Sequence, residues 1–114
     1  MVNPADFKSV IRDGSRAGNS VVVVHCRTDE EREKPLVGFV VAKRDIPRAT
    51  DRNRVRRQMR HLMSARLHTF PPGGAAVVRI SGNAVGRDFD ELGHHLDNAL
   101  GRAWRKWDGK AATS

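Results

Sequence analysis

The sequence predicts a single α/β domain in which helices pack on one central sheet, an α+β sandwich. Three observations carry this reading. Hydrophobic residues make up 39% of 114 positions and recur in periodic clusters, which suits one modest core. Blocks of β-branched and apolar residues at 20–27, 36–43 and 75–81 suit strands. Three other stretches have helical apolar spacing, and a strand, helix, strand succession points to a crossover unit.

The first element is a helix over NPADFKSVIRDG. Asn3 suits the N-cap, Pro4 the first turn, Asp6 opposes the positive end of the helix dipole, and Gly14 is expected to close the helix in a left-handed cap. Phe7, Val10 and Ile11 at i, i+3 and i+4 form one apolar stripe. SVVVVHCR then reads as a strand covered on both faces, with Cys26, Val22 and Val24 on one side and His25, Val21 and Val23 on the other. The charged segment TDEEREKP makes a solvated turn. LVGFVVAK is a second strand, for which a hairpin with the first is the economical pairing, and its end delivers Lys43 and Arg44 to the sheet edge.

TDRNRVRRQMRHLM, capped by Thr50 or Asp51, is the next helix. Val55, Met59, Leu62 and Met63 fall on one face, and Asn53, Arg56, Arg57 and Arg60 on the adjacent one. AAVVRIS follows the loop HTFPPGG as a third strand. DFDELGHHLDNALGRAWRKW forms the last helix: Asp88 and Glu91 have capping-box spacing, and Phe89, Leu92, Leu96, Ala99, Leu100, Ala103, Trp104 and Trp107 make a broad apolar face. The expected order is α-β-β-α-β-α, one domain over 1–114 with an ordered core over 4–108 and a frayed tail over 109–114.

Charge narrows the function. Lys and Arg number 21 against 13 Asp and Glu, a net charge of +8 with a pI near 11.0, which favours a polyanionic partner. Nearly all of the excess lies in 43–66, where Lys43, Arg44, Arg48, Arg52, Arg54, Arg56, Arg57, Arg60 and Arg66 face only Asp45 and Asp51. Solvated surface helices usually alternate signs, whereas Arg52, Arg56 and Arg60 at i, i+4 and i+8 repel one another until an anion arrives. Guanidinium forks suit phosphate, and Asn53 adds a donor and an acceptor. A helix-turn-helix DNA reader needs two adjacent short helices, but strands flank the basic helix here, so RNA is the favoured polyanion.

Several functions lose ground on the same residues. No apolar run approaches the roughly 18 residues of a bilayer span, and the N-terminus has no signal-peptide core, so a cytoplasmic protein with no membrane partner is expected. Cys26 has no CxxC partner and reads as a small buried hydrophobe. His94 and His95 are helix neighbours about 100° apart and chelate poorly together. Asp88, Asp90 and Glu91 are explained by the helix start. No constellation has metal-site or triad spacing, so this chain is expected to make and break no bonds itself. Phe7 and His25 each fit either packing or a stackable ring, and Trp104 and Trp107 fit the core.

The run VGFVVAKRDIPRATDRNRVRRQMRHLM resembles the protein subunit of bacterial ribonuclease P, whose hallmark is an Arg-Asn-Arg motif opening a basic helix after a strand that ends in Ala/Ser-Lys-Lys/Arg. Here these are Arg52, Asn53 and Arg54, then Arg56, Arg57 and Arg60, with Ala42, Lys43 and Arg44 upstream, and ADFKSVIRDGSRAG is similar to the family's first helix and turn. The resemblance implies a central mixed sheet with a left-handed βαβ crossover around the Arg-Asn-Arg helix. It implies the RNA-binding subunit of an endoribonuclease whose RNA partner carries the catalysis, using Mg2+ to cleave the 5′ leader from precursor tRNA. By residue-wise matching, Lys43, Arg44, Arg48, Arg52, Asn53, Arg54, Arg56, Arg57 and Arg60 would bind the catalytic RNA, while Phe7, Ile11 and His25 would fall in the leader cleft. It implies no catalytic residue, no metal site and no obligate protein partner in this chain. The sequence departs from the family at Ile11, commonly aromatic, at His61, commonly acidic, at Pro47, glycine in some members, and in starting almost at the first helix where members carry a longer basic arm. The charge pattern alone also fits a generic RNA-binding or ribosome-associated protein.

Overall fold

A computed structural model describes the backbone over residues 4–112 and the side chains over 7–109. The Asn3 cap and the Asp6 carboxylate therefore lie outside the described residues. The elements are α1 (Pro4–Asp13), β1 (Ser15–Gly18), β2 (Val22–Thr28), β3 (Leu36–Val40), α2 (Ala49–Ser64), β4 (Gly74–Ile80) and α3 (Phe89–Ala112), with 3-10 turns at Leu67–Thr69 and Gly82–Ala84. The order is thus α-β-β-β-α-β-α, one strand more than expected. The last helix runs on to Ala112, through positions expected to belong to the tail.

The sheet order is β1-β2-β4-β3, antiparallel except for the parallel pair β3 and β4. The expected crossover is present, running from β3 through α2 to β4. The expected hairpin of β2 with β3 is not, because β4 lies between them. Burial explains the choice: six of the seven β4 residues are buried, so this strand belongs in the centre, whereas β3 buries only Gly38 and suits an edge. β2 instead pairs with Ser15–Gly18, a segment with no β-branched residue to announce it. Asn19 fixes that return: its side-chain carbonyl accepts from the amides of Val21 and Val22, at 2.9 and 3.1 Å.

Alternation along β2 then divides two cores. Val22, Val24 and Cys26 join Ala76, Val78 and Ile80 under α2 and α3, whose Val55, Met59, Leu62, Leu92, Leu96 and Ala103 fill the larger cluster. The opposite sheet face packs Ala75 and Val77 against Val10 of α1, with Phe7, Leu36 and Val40 at the margin. Val21, expected beside His25, precedes the strand and turns into the larger core. The result is three layers: α1, the sheet, and the α2/α3 pair.

Gly14 does not take the left-handed cap. A Cβ there would sit 2.3 Å from the Cys26 carbonyl oxygen, so glycine is needed for close approach of the α1 end to β2. Positive φ occurs at Gly73 (74°) and Gly86 (80°). The free edge of β1 is blunted by α3: Arg102 donates to the Gly18 carbonyl and Lys106 to that of Arg16, each at 3.0 Å. Part of the positive charge is therefore structural.

Candidate nucleic-acid interface

Helix α2 is held from below. Val55, Met59, Leu62 and Met63 are at most 5% exposed. Each like-charge i,i+4 pair on its outer side costs about 0.2–0.5 kcal/mol. Burying one Leu or Met contributes roughly 1.5–3 kcal/mol, so packing decides that the helix forms.

Asn53, Arg54, Arg57 and Arg60 are exposed, and Arg52 and Arg56 half-buried. Lys43, Arg44 and Arg48 are exposed along the segment that joins β3 to α2. The helix is N-capped by Arg48, not by Thr50 or Asp51, which lie inside the first turn, and no side chain caps its first amides. That open, positive end of the dipole adds to the side-chain charge. Among the described residues the four ion pairs are Arg12–Asp13, Arg27–Asp13, Arg66–Asp97 and Arg87–Glu91, so the cations of this patch lack acidic partners.

Two arginines of the basic block behave differently from the rest. Arg66 straps α2 to α3, donating to the Leu62 carbonyl at 2.8 Å and pairing with Asp97. Arg52 donates from Nη1 to the carbonyls of Ile46 and Pro47, at 2.9 and 2.8 Å. Neither role was visible in charge spacing, which counts cations without showing which carbonyls they meet.

The three expected cleft residues occupy different environments. Phe7 is half-buried, its ring lying on Gly38, where a Cβ would come within 2.0 Å of Phe7 Cζ. Ile11 is 38% exposed. His25 is 3% exposed, opposite Arg16 and Val77 in register, and neither ring nitrogen has a hydrogen-bond partner. Burial, then the charges of Arg79 and Arg16, holds its pKa below 6.5. The sequence allowed an open stackable ring here, but this ring has no open face.

A hollow of about 450 Å³, missed from sequence, joins the two regions. Phe7, Val37, Gly38, Phe39, Met63 and Leu67 line it, with Arg56, Arg60 and Ser64 around it. A glycine inside an otherwise apolar strand was the available signal, since it marks a close approach. An aromatic floor beside two guanidinium groups is suited to a flat base carrying a phosphate.

Groups with other chemistry are inert or dispersed. Cys26 is fully buried, and burial, helped by Asp108, pushes its thiol up to about 12. His61 meets Phe89 edge-on at 5.6 Å, while the Glu91 carboxylate takes Arg87 at 2.8 Å. Among the described residues no three His, Cys, Asp or Glu side chains are grouped to hold a metal ion. No described helix is long and apolar enough to cross a membrane.

A family model described as Ribonuclease P matches residues 1–104. The ribonuclease P protein component of Acidothermus cellulolyticus is 41% identical over 99 residues, covering 86% of this chain and 82% of that protein. That of Streptomyces bikiniensis is 41% identical over 105 residues, covering 85% of each. The RNase P protein of Staphylococcus aureus shares the fold, with a TM-score of 0.78 at 20% identity over 90% of this chain and 93% of that one. With the family match spanning most of the chain and both relatives covered over most of their length, this chain belongs to the ribonuclease P protein family.

Proposed function

We propose that this chain is the RNA-binding subunit of a ribonuclease P, assisting a catalytic RNA in removing the 5′ leader from precursor tRNA. The observation that carries the proposal is the α2 surface, where Arg54, Arg56, Arg57 and Arg60 stand without acidic partners on a helix fixed by a buried stripe. Lys43, Arg44 and Arg48 extend that surface, and Asn53 orients at its start. Catalysis and its magnesium ions belong to the RNA; the protein supplies charge and position. The leader runs along α1 and the sheet, past Ile11 and Phe7, and a base enters the hollow beside Arg56 and Arg60. His25 supports the floor of that surface from beneath.

Binding of the catalytic RNA across a salt series tests this reading. If 6–10 phosphates are neutralised, affinity falls by about 10³–10⁵ between 50 and 200 mM salt. A curve nearly flat in salt contradicts it. Strong, salt-dependent binding to any structured RNA, with no preference for the catalytic RNA, points instead to a general RNA-binding protein.

A further inference from the structure

The segment between β3 and α2 carries Lys43, Arg44 and Arg48 but has no regular structure of its own. It is nevertheless pinned. Its Ile46 side chain is 1% exposed in the larger core. The Ala42 carbonyl accepts from the amides of Asp45 and Ile46, at 3.1 and 3.0 Å, closing a turn that presents Lys43 and Arg44 outward. Gly82 packs so closely behind it that a Cβ would lie 2.6 Å from the Asp45 carbonyl oxygen. The last fastening is Arg52, whose Nη1 donates to the Ile46 and Pro47 carbonyls while its amide donates to that of Arg48, at 3.0 Å.

We infer that Arg52 is a positioning residue for RNA binding rather than one of the phosphate ligands: it locks 42–48 onto the start of α2 and so fixes Lys43 and Arg44 relative to Arg54 and Arg57. The inference rests on the RNA interface proposed above. With both Nη1 hydrogens given to the Ile46 and Pro47 carbonyls, the guanidinium is committed to the segment, and swinging it away onto a phosphate leaves the part-buried Ile46 carbonyl unpaired at the cost of its desolvation. Arginine suits the task because its rigid fork holds both carbonyls, at little loss of side-chain freedom per bond. The cations it fixes then meet RNA already arranged, without an ordering penalty at the moment of binding.

The test uses the full chain with the catalytic RNA. Hydrogen exchange is measured at the Asp45 and Ile46 amides in the wild type and in Arg52→Gln, with the Met59 and Leu62 amides of α2 as controls for global unfolding. RNA affinity is measured for Arg52→Gln, for the pair Lys43→Gln/Arg44→Gln, and for all three together. The expected result is faster exchange at Asp45 and Ile46 with the α2 amides unchanged, and a Lys43/Arg44 loss that shrinks severalfold once Arg52 is gone. Unchanged exchange in the segment, or losses that simply multiply, overturns the inference and returns Arg52 to the phosphate ligands. If removing Lys43 and Arg44 costs no affinity in either background, the RNA interface on this segment fails, and the positioning role with it, even where exchange shows the fastening itself.

Discussion

Replacing Gly38 by alanine drives a methyl group into Phe7. An ideal Cβ at Gly38 falls 2.0 Å from Phe7 Cζ, 2.1 Å from Cε1 and 2.9 Å from Cε2, so the ring must move before ordinary contact is restored. Phe7 sits on α1, which is tied to the sheet through Val10, and the ring cannot leave without tilting the helix or abandoning its own packing. Overpacking of this kind costs about 1–3 kcal/mol. Because the penalty acts through a single ring, it should vanish when that ring is removed. Urea unfolding of the wild type, Gly38→Ala, Phe7→Ala and the double variant gives the coupling directly, expected within the range of about 0.5–3 kcal/mol for residues in contact. Gly38→Ala should also weaken precursor tRNA more than mature tRNA, because it deforms the hollow rather than the arginine face. An equal Gly38→Ala penalty with and without the Phe7 ring would show that the added methyl does not act through that ring.

Three other outcomes follow from named residues. Burial keeps the His25 pKa in the fold below the 6.5 of an unfolded chain, so its contribution to stability is complete above that pH and declines as the pH falls from there towards the folded pKa, by up to about 1.4 kcal/mol per pH unit; urea midpoints at pH 7.5 and 5.5 should differ less in His25→Leu than in the wild type. Met59→Ala removes a fully buried anchor of α2 and should cost about 2–5 kcal/mol in unfolding. Arg57→Gln should leave the thermal midpoint near wild type and reduce the slope of log affinity against log salt by about 0.7–0.9, the signature of one lost phosphate contact.

What could be read from the chain depended on whether the cause was local. The apolar rows of α2 and α3 are set by helical period, and each expected core residue on α2 is buried. The opposite faces of His25 and Cys26 follow from strand alternation, and the fully buried Cys26 fits its expected role. Strand pairing was not local: β2 prefers β4 because β4 is buried on both faces, a fact decided by α1, α2 and α3 together. Ser15–Gly18 becomes a strand only because β2 offers it a partner. The basic block was legible as charge, but its division of labour was not. Arg66 and Arg52 look like their neighbours in sequence: Asp97 is brought to Arg66 by α3, and the carbonyls of Ile46 and Pro47, though near Arg52 along the chain, leave no trace in a count of charges. The hollow at Phe7 is likewise assembled from α1, β3 and α2, with Gly38 as its one trace in the sequence.

Whether the arginine face of α2 serves a catalytic RNA is tested most directly by precursor tRNA cleavage by that RNA at low magnesium, with and without this chain. The wild-type chain is expected to raise cleavage, and Arg54→Gln/Arg57→Gln/Arg60→Gln, folded to the same thermal midpoint, to lose most of the gain. No gain from the wild-type chain at any concentration, or a triple variant as effective as the wild type, contradicts that role.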